Sequence, residues 1–349
     1  MIQALQVPLL TLEGSQLACG RAYGDQERES ILGFFSSQIP LRTDDLDFAA
    51  KCWPHLQEAF PAIAEFCTGL AAGADLTIPQ LMLLLLHEEI VHKEHCSIIG
   101  VSQNAARDGR SVIAQNWDWP ATVYCWPRVV RMRGESLPAT LTYAFPGLWA
   151  CAGVNEDGLA IGWSGAGYWP SVQALPGIPT YALIAGLLTA PDVSSALELL
   201  KLGRHAGCFI FFLADRTGEV ALVEGWPKNI AVARHQDVPL RTNHYLMPEA
   251  IAATHQYDPF SIKDSTTAPR LEALRALVAR EERMSGDAAK SVLCHPNIRA
   301  AYKLEEAQGG YNSMTVDSFC IDPAAAELWV ARGLPDRHTF VRYSLDQQQ

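Results

Sequence analysis

His95-Cys96-Ser97-Ile98-Ile99-Gly100-Val101, followed closely by Gln115-Asn116-Trp117-Asp118-Trp119, is the stretch that decides the fold. The segment between the two runs contains Asp108-Gly109, a strong turn signal. We therefore predict a β-hairpin from strands near 96–103 and 111–119. A cysteine opens the first strand and an acid lies near the end of the second. We expect the chain to cut itself between His95 and Cys96, making Cys96 both N-terminus and nucleophile.

Residues 1–95 and 96–349 differ in their hydrophobic period. The first segment has helical spacing near 16–35, 49–70 and 77–92. The second has mostly two-residue spacing, and further strands are predicted near 128–133, 139–145, 150–155, 159–164, 208–214, 219–224, 313–321, 327–332 and 339–343. Helices are predicted near 179–188, 193–202 and 268–283. The absence of βαβα alternation favours an α+β fold of two antiparallel sheets covered by helices.

Composition limits the partners and the compartment. The chain has 349 residues, 49% of them hydrophobic, and a net charge of −11, which disfavours nucleic-acid and anionic-membrane binding. Its nine cysteines are scattered and contain no CxxC pair, so neither a disulfide framework nor a zinc ribbon is expected. With no signal-peptide pattern and no membrane-length apolar run, we expect a cytoplasmic protein. A homo-oligomer remains open.

A cysteine nucleophile needs a base, and no local Cys-His-Asn arrangement accompanies Cys96. If cleavage frees its α-amine, that amine titrates near ~8 and lies close enough to take the proton of its own thiol. Asp118 would then hydrogen-bond to the amine and orient it. The alternative for Cys96 alone is a buried structural thiol.

Several separate motifs occur in one order along the chain: Gly20-Arg21-Ala22-Tyr23-Gly24, Cys96-Ser97-Ile98, Asn116-Trp117-Asp118, Gly153–Leu159, Gly177-Ile178-Pro179, Thr242-Asn243-His244 and Asn297-Ile298-Arg299. With these, the chain resembles the acyl-coenzyme A:6-aminopenicillanic acid acyltransferase family of N-terminal nucleophile (Ntn) hydrolases. It is more distantly similar to penicillin V acylase and bile salt hydrolase.

The resemblance implies a four-layer αββα sandwich and a precursor whose two fragments, 1–95 and 96–349, stay together after self-cleavage. It also implies roles for single residues. Cys96 would be the nucleophile, Asp118 would hold the new amine, and Asn243 would donate to the oxyanion. Arg299 would lie near Cys96 and tune the thiolate. No cofactor is implied.

The chain departs from its relatives at the oxyanion site. Relatives often carry a second asparagine after the Asn-Glu-Asp-Gly-Leu turn, where this chain has Ser164. Ser164 or a backbone N–H would have to replace it. Trp117, Trp119 and Trp163 surround the predicted site and are candidates for the walls of an acyl pocket, although most such aromatic residues belong to cores.

The pattern His87-Glu88-Glu89-Ile90-Val91-His92 is similar to the zinc motif HExxH, but its histidines are five residues apart rather than four. We therefore expect no metal, and expect the polar end of this helix to support the cleavage bond. Three functions remain open. We favour hydrolysis of a small N-acyl or β-alanyl-type amide, the first alternative is acyl transfer from a coenzyme A thioester to an amine, and the second is a catalytically degenerate scaffold.

Overall fold

Two β-sheets face each other at the centre of the computed structural model. The structure describes residues 5–39, 41–91, 95–166, 172–261, 265–300 and 313–346, with the side chains at 91, 95, 121 and 313 excepted. One sheet has eight strands and the other six. The expected α+β class is confirmed.

The N-terminal part is mostly helical, as expected. A strand comes first, and five helices follow it along the chain: β1 Leu9–Gly14, α1 Gln16–Gln38, α2 Thr43–Ala59, α3 Pro61–Ala74, α4 Ile78–Leu85 and α5 His87–Val91. The expected helix from Thr77 to His92 is interrupted at Leu86, which leaves the helical conformation, and His92 lies outside the described residues. Thr77 and Gln80 form a capping box at the start of α4, which fixes where that helix begins.

The rest of the chain builds most of both sheets. Its strands are β2 His95–Val101, β3 Val112–Pro120, β4 Arg128–Gly134, β5 Thr140–Ala144, β6 Ala152–Asn155, β7 Leu159–Gly165, β8 Phe209–Asp215, β9 Val220–Trp226, β10 Asn229–His235, β11 Leu240–Arg241, β12 Ser313–Asp322, β13 Glu327–Arg332 and β14 Val341–Ser344. Its helices are α6 Thr180–Leu187, α7 Val193–Leu199, α8 Pro248–Thr254, α9 Thr267–Val278 and α10 Gly286–Leu293. The sequence did not predict β1, β10, β11, α8 or α10.

The strand order is β1-β4-β5-β6-β7-β8-β9-β10 in the larger sheet and β11-β2-β3-β12-β13-β14 in the smaller one. Strand β7 packs against β2 and β3 across the two sheets. Helices α9 and α10 cover the outer face of the smaller sheet, where Leu274 and Leu293 pack against Ile99 and Ala114. Helices α1, α7 and α8 lie against the larger sheet, so the layers follow the expected αββα order.

Helices α1 and α3 approach each other closely through glycines. A Cβ atom at Gly20 would lie 2.0 Å from the carbonyl oxygen of Phe66, and one at Gly69 would lie 2.1 Å from that of Leu17. Gly24 and Gly73 continue the same contact one turn further. This packing explains the Gly20–Gly24 motif, because only glycine allows the two backbones to come so close.

No single described helix is long and apolar enough to cross a membrane. Helices α3 and α4 reach that length and composition only as a pair, and they meet at 114°. Both are largely buried within the protein.

Candidate active site

Cys96 lies in strand β2, the second strand of the smaller sheet, and is fully buried. The bond between His95 and Cys96 is inside the strand, because His95 already pairs with Asp118 of β3. Cys96 pairs with Trp117, and directly opposed residues project their side chains from the same face of a sheet. Ile98, two residues along β2, contributes to the core between the sheets. The thiol therefore faces the interior between the two sheets.

Asn243 binds the backbone nitrogen of Cys96. The Cys96 N–H donates to Oδ1 of Asn243 over 2.9 Å. The amide nitrogen of Asn243 donates to Oγ of Ser164 and to the carbonyl oxygen of Gly165, each at 3.1 Å. Because Oδ1 receives donors and Nδ2 faces acceptors, the orientation of this amide is fixed by its partners.

Ser164 completes that network from the larger sheet. Its hydroxyl donates to the carbonyl oxygen of Thr242 over 2.7 Å while accepting from Asn243. The structure thus places Ser164 beside Asn243. Both protons of the Asn243 side-chain amide are already used, so donating to any further acceptor requires Asn243 to exchange one of these bonds.

Arg270, in the first turn of α9, places a cation against the backbone of Cys96. Its guanidinium donates to the carbonyl oxygen of Cys96, to Oγ of Ser97 at 2.9 Å and to Oδ1 of Asn243 at 2.7 Å. The side chain is buried, and its Nε also donates to Oγ1 of Thr266 over 3.1 Å. Arg270 therefore links the backbone of the candidate nucleophile to Asn243.

Asp118 is the buried acid of the site. Thr315 of β12 donates to its Oδ1 over 2.6 Å, and Oδ2 has no hydrogen-bond partner among the described residues. Burial raises the pKa of Asp118 to about 6, against the lowering effects of the Arg270 charge and the Thr315 hydrogen bond. Asp118 is paired directly with His95, and this oxygen can accept a further hydrogen bond.

The aromatic residues form one connected cluster. The ring centroids of Trp117 and Trp163 are 5.5 Å apart, and those of Trp117 and Trp119 are 6.2 Å apart. All three side chains are buried, and the indole nitrogens of Trp117 and Trp163 have no acceptor among the described residues. Two buried donors without acceptors, next to the strand of Cys96, could bind a substrate oxygen.

Arg299 makes a different contact from the one expected for it. Its Nε lies 2.9 Å from Oδ1 of Asp336, an ion pair without hydrogen-bond geometry, and its charge acts on the thiol of Cys294. We therefore assign to Arg270 the position near Cys96 that the resemblance gave to Arg299. Little in the sequence pointed to Arg270, because an arginine on a helix usually lies in solvent.

Four further cysteines are held as thiols; three of them are buried and Cys208 is partly buried. Burial raises the pKa values of Cys52, Cys67 and Cys320 to about 12 and that of Cys208 to about 11. None of them makes a described contact with a guanidinium or with an asparagine side chain. Within the described ranges, no group of three or more His, Cys, Asp or Glu side chains is arranged to hold a metal ion.

Two facing sheets between helical layers, with a cysteine in an inner strand, are the features expected of the Ntn-hydrolase class. The profile of the acyl-coenzyme A:6-aminopenicillanic acid acyl-transferase family matches residues 105–294, more than half of the chain. The chain belongs to this family, and the resemblance stated above is confirmed.

Several solved structures of Ntn hydrolases are weakly similar to this chain. A conjugated bile acid hydrolase mutant from Clostridium perfringens is 13% identical with a TM-score of 0.45, covering 72% of this chain and 99% of its own. Penicillin V acylase from Agrobacterium tumefaciens is 15% identical with a TM-score of 0.44, covering 68% and 82%. Penicillin G acylase from Alcaligenes faecalis is 9% identical with a TM-score of 0.42, covering 59% and 53%. These likenesses are too low to carry a functional assignment, and no curated protein sequence matches significantly.

Proposed function

We propose that this protein is a self-processing amidohydrolase that cleaves a small N-acyl amide through a thioester on Cys96. The observation that carries this proposal is the contact between the Cys96 nitrogen and Asn243, which is tied in turn to Arg270 and Ser164. Strand β11 pairs with β2 only at Ile98 and Ile99, so the N–H of Cys96 has no strand partner on that side and Asn243 supplies its acceptor. The contact is well suited to a nitrogen that becomes a terminal amine.

The self-cleavage step has balanced chemistry. The Cys96 sulfur attacks the carbonyl carbon of His95, the C–N bond breaks, and the proton that the thiol loses passes to the nitrogen of Cys96, which becomes an amine. The result is a thioester between His95 and Cys96. Water then adds to this thioester, releasing a carboxylate on His95 and a free thiol on Cys96.

In turnover, the new amine accepts the proton of the Cys96 thiol, and the sulfur attacks the substrate carbonyl. Asn243 donates to the oxygen that becomes negative, after exchanging its bond to Ser164 or Gly165. Loss of the amine product leaves an acyl thioester, which water hydrolyses. Oδ2 of Asp118 accepts a hydrogen bond from the amine and holds it in place. We further propose that fragments 1–95 and 96–349 remain associated, in the cytoplasm.

Intact-mass measurement tests the proposal most directly. The purified chain should give two fragments, 1–95 and 96–349, while the Cys96→Ala variant stays whole. Cys67→Ala is the matched control, because this thiol is also buried but lies in helix α3. A persistent single chain without activity on N-acyl amides would refute the proposal. A single chain that hydrolyses amides would refute only the role of the N-terminal amine.

Acyl transfer is the second candidate, and the description of the family favours it. One cleft of about 530 Å³ collects three basic side chains, Lys201, Arg204 and Lys228. Lys201 is paired with Glu198, which leaves two cations in position to receive a phosphate of a coenzyme A thioester.

Turnover of an acyl-coenzyme A with and without an added amine separates the two candidates. Transfer predicts that the amine raises the rate of thioester loss and becomes acylated. It also predicts that Arg204→Ala raises KM for the thioester but not for a neutral amide. Equal rates with and without the amine would exclude transfer to that acceptor.

A further inference from the structure

Helix α6 is capped by a residue from the other side of the proposed cleavage bond. All eight residues of α6 are buried, and its N-cap residue, Pro179, provides no side-chain acceptor. The first N–H groups of a helix have no partner within it, and water cannot supply one here. Oε1 of Glu89 takes this role, accepting from the Thr180 N–H at 3.0 Å and from the Thr180 hydroxyl at 2.7 Å.

The neighbouring residue makes a parallel contact. The Tyr181 hydroxyl donates to Oε1 of Glu88 over 2.8 Å, and Nδ1 of His87 lies 3.3 Å from the same oxygen. The ring of His87 packs edge-on against Trp119 with centroids 4.8 Å apart. The short helix α5 is therefore held by polar contacts to α6 and by an aromatic contact to β3.

The side chain of Glu89 occupies a space that Gly207, in the segment after the proposed cleavage bond, leaves open. A Cβ atom at Gly207 would lie 2.7 Å from Cγ of Glu89, so the space exists only because residue 207 is glycine. Burial raises the pKa of Glu89 to about 7, while the two Thr180 hydrogen bonds lower it. A carboxyl group is thus kept in an enclosed site where its main described partners are the donors of Thr180.

Glu89 precedes the His95–Cys96 bond by only six residues, whereas Thr180 and Gly207 follow that bond. We propose that the Glu89–Thr180 contact is a positioning device for self-cleavage, which fixes the segment before the bond and joins the two fragments afterwards. Glu89 acts through the geometry of the chain and does not touch the reacting atoms. The expected effect on the cleavage rate rests on the proposed self-cleavage, whereas the capping of α6 by Glu89 does not.

The kinetic test compares three variants of the full chain by following the 349-residue species with intact mass. Glu89→Ala removes the acceptor and should slow self-cleavage about tenfold or more, whereas Glu89→Gln keeps an acceptor and should stay within about threefold of wild type. Glu65→Ala, an exposed position in α3 of the same segment, should cleave at the wild-type rate. Unchanged cleavage in Glu89→Ala would overturn the positioning role. If that variant does not fold, Thr180→Pro decides, because proline is tolerated at the first helical position but has neither the N–H nor the hydroxyl that Glu89 accepts: slower cleavage supports the role and a wild-type rate overturns it.

Hydrogen exchange tests the contact without any cleavage. In the Cys96→Ala background, adding Glu89→Ala should speed exchange of the amides at the start of α6 about tenfold, while adding Glu65→Ala should not. Equal exchange in both would overturn the cap. If wild type is never cut, the proposed function fails, and exchange still decides whether Glu89 caps α6.

Discussion

Asp118 gives the sharpest test of the site, because its burial changes the pH dependence of the free energy of unfolding by an amount that can be calculated. The pKa of Asp118 lies at about 6, raised from 3.8 mainly by burial. The folded chain therefore holds this proton over a range where the unfolded chain has lost it, and stability falls as pH rises from about 4 to about 6. A shift of roughly two units corresponds to about 3 kcal/mol when the titration is complete.

Asp118→Asn removes this penalty. The amide oxygen can still accept from Thr315, but the amide nitrogen replaces an oxygen that has no described partner, at a cost of ~1–3 kcal/mol that does not depend on pH. At any one pH, the change in stability is therefore the difference between two free energies of similar size: the gain from removing the buried carboxylate and the cost of the amide nitrogen without a partner. The difference between variant and parent should nevertheless increase in favour of the variant by about 2 kcal/mol between pH 4.5 and pH 8.

Urea unfolding of Cys96→Ala and Cys96→Ala/Asp118→Asn at the two pH values measures this difference in chains that cannot cut themselves. Asp47→Asn, an exposed aspartate in α2, is the control and should show no such dependence. In the Cys96-containing protein, Asp118→Asn should also lower kcat, because the new amine loses a carboxylate partner. If the stability difference between variant and parent is the same at both pH values, the pKa of the buried Asp118 carboxyl is not raised and the reasoning is refuted.

Arg270, Asn243 and Gly20 can each be tested by a single substitution. Arg270→Met should move the acid limb of the pH profile of kcat/KM to higher pH, because the Arg270 charge lowers the pKa of Asp118. Arg270→Lys keeps the charge, so the acid limb should stay at the same pH while kcat/KM falls. Asn243→Ala should lower kcat by ~10²–10³-fold with little change in KM, as measured on one N-acyl amide by initial rates. Gly20→Ala should destabilise the chain by ~1–3 kcal/mol in urea unfolding because its Cβ would meet the Phe66 carbonyl, whereas Gly286→Ala, with 3.8 Å of clearance, should not.

Much of the fold could be predicted because the hydrophobic period and the helix-start residues are visible in the local sequence. The two-residue period placed β2 and β3 to within two residues of their observed bounds, and the Thr77 and Pro79 signals placed the start of α4. Strand β11 was missed because two residues are too few to show a period. Strand β1 was missed as sheet because its partner, β4, lies more than a hundred residues away and pairs with it in parallel.

The sequence alone determined the family, the change from helical to strand period at residue 95, and Cys96, Asp118, Asn243 and Ser164 as candidates. The first three lie in ordered motifs, and Ser164 stands where the chain departs from its relatives shortly after one of those motifs, so local sequence is enough to identify all four. Only the tertiary structure decided which cation reaches Cys96, placing Arg270 there and Arg299 against Asp336. It alone also joined Glu89 to Thr180 across the candidate cleavage bond. The physical reason is that both contacts bring together residues about 90 or more positions apart, and their partners are set by how α9 and α6 pack rather than by any local pattern.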